Sequence, residues 1–259
     1  MFFNPFAELS GSISPVIMQA YVIAMILLVA GGTVYDTIHK GSAKYFFENW
    51  RKTNSKAERQ VRGGEKLSLA LETAAEALTS GEFCNPRRRI AHLLGMYGFI
   101  TYAITTAILV FAYPTPATPA PEFLSQLWYL GALMICAGGY WFWFFIRVDV
   151  AAEGHSPLRL VRADLFILSL VVSATLALIW AYLEAQASSW TMPVLEAYVI
   201  ATTVLFASVP WSKFSHMFFK PAAAFEKRLS EANGSRSNLP APADKPTTLG
   251  SPRRQPRHY

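Results

Sequence analysis

Arg87-Arg88-Arg89-Ile90-Ala91-His92-Leu93-Leu94-Gly95-Met96-Tyr97-Gly98-Phe99 carries three guanidinium groups straight into an apolar segment that holds a single histidine. The apolar run continues to Ala112. About twenty residues at about 1.5 Å each cross a hydrocarbon layer of about 30 Å, so residues 90–112 read as a transmembrane helix. An ionisable side chain is costly there, which places it toward a bundle interior and gives it a task. The only other histidine in a comparable setting is His216, in Val209-Pro210-Trp211-Ser212-Lys213-Phe214-Ser215-His216-Met217-Phe218-Phe219-Lys220.

Composition agrees with a bilayer. The chain is 53% hydrophobic and 15% charged, against about 45–50% and about 25% for a soluble domain. The net charge of +6 would suit nucleic acid in a soluble protein. Here the basic residues sort to particular loops, so topology explains them and no nucleic-acid partner is expected. Cys84 and Cys136 lie in unrelated segments and make neither a disulfide framework nor a CxxC metal site. Any iron–sulfur chemistry belongs to a partner.

Outward from the opening stretch, the chain divides as follows. Residues 1–15 carry Phe2, Phe3 and Phe6 without Lys or Arg, and read as an outer interfacial segment, not a cleaved signal peptide. Residues 16–35 are the first transmembrane helix. Residues 36–89 form a basic segment, in which Leu67, Leu71, Ala74, Ala75 and Leu78 predict an amphipathic helix over residues 64–80, lying on the membrane or against a partner. Residues 90–230 hold four further spans and a cytoplasmic extension. These spans are 90–112, 124–146, 164–182 and one from about Val194 to Phe214 or beyond. The Tyr140–Phe145 aromatic band reads as an interfacial belt. Residues 231–259, rich in Pro, Ser, Asn and Arg, read as a disordered cytoplasmic tail.

Loops 36–89, 147–162 and the tail are rich in Lys and Arg, whereas 1–15, 113–125 and 184–193 have none. By the positive-inside rule the rich set is cytoplasmic. The expected fold is an all-α integral membrane protein, a bundle of five transmembrane helices with the N-terminus out and the C-terminus in. In that topology His92 and His216 both fall near the cytoplasmic ends of their helices. Two imidazoles at one depth can ligate a haem b, or can form a hydrogen-bonded pair in a plain membrane anchor. Arg87, Arg88, Arg89, Lys213 and Lys220 lie at the level of haem propionates or of lipid headgroups. His39, Tyr97 and Asp164 are polar groups that could bond a quinone oxygen, although a structural role is the simpler account of each.

The histidine-centred motifs, Arg-Arg-Arg-Ile-Ala-His-Leu-Leu-Gly-Met-Tyr-Gly-Phe and Pro-Trp-Ser-Lys-Phe-Ser-His-Met, resemble the cytochrome b membrane subunits related to the nitrate reductase gamma chain and to heterodisulfide reductase. The resemblance covers Gly64 to about Leu229. It implies that His92 and His216 ligate haem b. It also implies one haem at most, because the second histidine that two-haem members carry in the outer half of each helix is missing. The stretches Asn4–Leu9, Ser42–Trp50 and Phe144–Gly154 look most like the membrane anchor proteins associated with adenylylsulfate reductase in sulfur-oxidising bacteria. That resemblance implies a bacterial inner-membrane location, a cytoplasmic iron–sulfur and flavin enzyme as electron donor, and quinone as acceptor. Two other classes stay open: a haem-free anchor that recruits a soluble reductase, and a transporter, for which no internal repeats or broken helices are evident.

Overall fold

A computed structural model describes residues 3–39, 41–81, 83, 85–161, 164–209 and 216–236, with the backbone alone at 42, 148–149 and 216–219. Among the described residues every regular element is helical: α1 Pro5–Leu9, α2 Pro15–His39, α3 Ser42–Ser55, α4 Gly63–Thr79, α5 Pro86–Ala112, α6 Glu122–Trp141, α7 Val148–Ala151, α8 Leu165–Ala185, α9 Thr191–Ala207 and α10 His216–Ala232. A π-helical turn, Phe142–Ile146, extends α6. Four of these helices, Pro15–His39, Pro86–Ala112, Glu122–Ile146 and Leu165–Ala185, are long and apolar enough to cross a membrane. Large apolar side chains remain exposed along them, among them Ile26 and Leu27 of α2, Ile104 of α5 and Leu133 of α6. A face of that size would associate in water, and it suits a multi-pass membrane protein.

The chain forms two compact units. The first, residues 1–36 and 85–215, is the apolar bundle. Its tightest pairing is α5 with α6, followed by α8 with α9 and α6 with α8. One face of α5 repeats Ala91, Gly95, Gly98, Tyr102, Thr105 and Leu109 at spacings of four and three. A Cβ built on Gly98 would meet the Gly131 carbonyl oxygen at 2.9 Å, and one on Gly138 would meet the Ala91 carbonyl oxygen at 2.7 Å. Glycine therefore permits a backbone approach that no other residue would, as is usual where helices pack without a hydrophobic drive between them. Asn85 caps α5 by accepting from the Arg87 and Arg88 amides, and Pro86 occupies the first turn, where a missing N–H costs nothing. α2 is tied to the bundle by Gln19 Nε2 donating to the Val110 carbonyl at 3.2 Å and Tyr21 Oη donating to the Val199 carbonyl at 3.0 Å.

One end of the bundle is closed by the N-terminal segment. α1 starts on an Asn4 cap and places Phe6, only 4% exposed, within 5.6 Å of Trp128 and 5.4 Å of Trp180, ring centre to ring centre. Asn4 Nδ2 donates to the Tyr113 carbonyl at 2.8 Å. Residues read from sequence as an interfacial segment are thus partly a plug in the core.

The second unit, residues 37–84 and 216 onward, gathers α3, α4 and α10. α10 packs on both of the others. Trp50 stacks on Phe225 at 6.1 Å, and Thr53 Oγ1 donates to Glu226 at 2.9 Å. Asn233 clips the turn after α3: its carbonyl accepts from the Glu58 and Arg59 amides, and its side chain donates to the Thr53 carbonyl. Arg228 bonds Glu72 and Glu76 of α4. Arg59 forks onto Glu65, and this bond holds the Glu65 carboxyl below its ordinary value.

The predicted amphipathic helix is present as α4, while the preceding α3 was not anticipated. The predicted fifth span differs in its limits. α9 covers 17 residues and ends at Ala207, about 26 Å at about 1.5 Å per residue. Pro210 lacks the N–H that would continue it. His216 is the first residue of the amphipathic α10, and residues 210–215 before it lie outside what is described.

Candidate functional site

His92 lies in the second turn of α5, one residue along from the Ala91 that packs on α6. Its side chain is exposed, unusual for an imidazole in a helix of this apolarity. Seven residues on, and so on nearly the same face, Phe99 meets Phe206 of α9 with ring centres 6.4 Å apart. The His92 face thus continues the side of α5 from which Phe99 reaches Phe206. Gly95 stands one turn beyond the histidine. A Cβ there would meet nothing within 4 Å, although the Gly95 amide nitrogen would lie 2.9 Å from a Cβ on Gly138. One flank of Gly95 is pressed against α6 and the other is open. One turn from the imidazole, the open flank of Gly95 leaves room for a flat group against α5. The side chain of His216 lies outside what is described, and so does Lys213.

The cationic residues divide. Arg88 reaches across the bundle, its Nη2 donating to the Ile146 carbonyl at 3.3 Å. Arg87 is exposed. In the second unit Lys220 is exposed and its Nζ stands 5.8 Å from the centre of the Phe83 ring. His39 is the exposed last residue of α2.

Among the quinone candidates, Tyr97 is exposed on α5. Asp164 has a different employment. Its Oδ2 accepts from Arg147 at 2.7 Å and from the Val161 amide at 3.1 Å. Arg147 is itself buried, donates to the Pro157 and Arg159 carbonyls, and lies over the Trp143 ring at 4.2 Å. The pair fastens the 147–164 loop to the end of the π-helical turn. A buried ion pair with these extra bonds is a structural clasp, and removing either partner strands the other's charge.

The bundle also holds a polar aromatic centre that sequence reasoning passed over. Tyr102 and Tyr198 join hydroxyls at 2.6 Å. Trp180 stacks on Tyr198 at 6.0 Å, Trp128 lies 5.4 Å from Tyr102, and Trp128 Nε1 donates to Thr106 at 2.9 Å. Trp128 and Trp180 are fully buried. The available signal was a tyrosine at the middle of each of two largely apolar segments, Tyr102 and Tyr198. This filled centre, with Phe6 above it, occupies the half of the bundle away from His92.

The chain matches no protein-family model, no curated protein and no solved structure.

Proposed function

We propose that the chain is the membrane anchor and electron-transfer subunit of a redox complex. It couples a cytoplasmic iron–sulfur and flavin oxidoreductase, of the adenylylsulfate reductase kind, to the quinone pool through one haem b. His92 and His216 would hold that haem. When bound, it supplies a one-electron carrier within the apolar layer. The observation that carries the reading is the exposed His92 imidazole with the open flank of Gly95 one turn away, at the end of α5 that begins with three arginines.

The chain's own residues do the rest. α5 and α6, locked by their glycines, hold His92 at a fixed height. Arg87, exposed at the same end, would meet carboxylates or headgroups, and Arg88 braces α5 against the π-helical turn. The aromatic centre and the Phe6 plug exclude water and any second cofactor from the other half, which supports a single haem on the arginine side. In this reading α9 crosses as the fifth span and the N-terminus lies outside. The basic second unit then faces the cytoplasmic donor. A quinone site belongs near the same haem, with Tyr97 and His39 as its hydrogen-bonding candidates, since Asp164 already serves Arg147.

The test is the dithionite-reduced minus oxidised spectrum of the detergent-purified protein, beside His92→Ala and His216→Ala. A b-type band in the wild type that both variants lose is the expected result. A colourless wild type, expressed with haem supplied, overturns electron transfer and leaves an anchor that holds its soluble partner at the membrane.

A further inference from the structure

α4 has two faces of opposite character. One is occupied within its own unit: Thr73 is buried, and Glu72 and Glu76 are held by Arg228 of α10. The other carries Leu67, Leu71, Ala74 and Leu78 at spacings of four, three and four, a continuous stripe on a helix of 3.6 residues per turn, with Ala70 and Ala75 along its edges. All six are exposed, Leu67 and Leu71 at 62% and Leu78 at 53%. The stripe carries no charge.

Its chemistry narrows the occupant. A protein surface that recognises by charge finds nothing here to read. A second copy would gain six residues from this stripe, whereas a stable interface takes about 20–30 a side. A bilayer, by contrast, is supplied by the chain itself. α4 lies in sequence between the spanning helices α2 and α5 with no spanning helix intervening, so α2 ends and α5 begins on one side of the membrane. Only residues 80–85 separate Thr79 from Pro86, and an extended residue covers at most about 3.6 Å. So short a tether keeps the effective concentration of lipid around α4 high.

We propose that α4 is an interfacial helix whose Leu67–Leu71–Ala74–Leu78 stripe is sunk among the upper acyl chains of the bilayer. It recognises the apolar part of phospholipid, not an anionic headgroup, because only Lys66 borders the stripe. The Glu72–Arg228–Glu76 face is thereby turned to the aqueous side, which selects the surface that the second unit offers to any soluble partner. The proposal is independent of whether haem binds.

The experiment places p-benzoylphenylalanine at 67, 71, 78 or 72 of the full chain. Each variant is irradiated in proteoliposomes of phosphatidylethanolamine with and without phosphatidylglycerol, and the adducts are weighed by mass spectrometry. The three stripe positions are exposed, so the bulky group leaves the fold intact. Lipid adducts at 67, 71 and 78, absent at 72 and unchanged by phosphatidylglycerol, are expected. Adducts to a second chain or to another segment of the same chain, or no adduct at 71, overturn the proposal.

Discussion

A single hydroxyl pair shows how this bundle treats polarity. Tyr102 and Tyr198 sit on helices far apart in sequence, and their hydroxyls meet at 2.6 Å, with Trp128 tilted against one ring and Trp180 stacked on the other. An unpaired buried hydroxyl costs about 1–3 kcal/mol, while removal of both partners can be nearly neutral. Tyr102→Phe and Tyr198→Phe should each destabilise by about 1–2 kcal/mol, and the double variant should cost less than the sum of the two. Thermal unfolding in detergent would show the coupling, and additive losses would refute it. This pair was not legible in the sequence, because a tyrosine in an apolar segment reads equally well as an interfacial anchor. The position of His92 near the start of an apolar helix was legible, since an imidazole behind three arginines stands out in the sequence alone. For Asp164 the structural role that the sequence already favoured is the one seen, but its partner, Arg147, lies 17 residues back and was not identifiable from spacing.

At the scale of elements, neighbouring glycines of α5 make opposite demands. Gly98 is pressed against Met134 and the Gly131 carbonyl of α6, whereas Gly95 opens on one flank to empty space. Gly98→Ala must therefore force the two helices apart, at a cost of about 1–3 kcal/mol. Gly95→Ala meets no atom and relieves a helix of its least favourable ordinary residue, by up to about 1 kcal/mol. Melting temperatures should fall for the first and hold or rise for the second. If a haem lies against His92, Gly95→Ala should also lower the haem content of a protein that remains fully folded. A Gly95→Ala protein with wild-type haem and stability would remove that face as the cofactor's seat. The spanning helices were legible because length and apolarity are local properties. α3 was not, because its inward side, Phe46, Asn49, Trp50 and Thr53, makes sense only against Phe225 and Glu226 of α10, well over a hundred residues away.

For the whole molecule, the topology turns on parity. Among the described residues four helices have spanning length, and α9, with 17 residues, decides whether the C-terminus returns to the side of the 36–89 segment. A crossing of about 26 Å falls slightly short of a hydrocarbon layer of about 30 Å, a mismatch that local thinning accommodates at a fraction of a kcal/mol per Å. Against that small cost stands the Lys and Arg content of α10 and the residues after it, which the positive-inside rule holds in the cytoplasm. On the proposed reading the balance gives five crossings. The compact second unit points the same way, because α10 packs on α3 and α4, and helices in one folded unit cannot lie on opposite faces of a membrane. Single cysteines at Ala117, Gly154 and Ser235, in a protein with Cys84 and Cys136 replaced by serine, read the parity directly. With a membrane-impermeant maleimide on intact cells, Ala117→Cys should label, while Gly154→Cys and Ser235→Cys should label only after the membrane is opened. Labelling of Ser235→Cys on intact cells would leave α9 uncrossed, place α10 opposite the helices it packs on, and so dismantle both the five-span bundle and the second unit together.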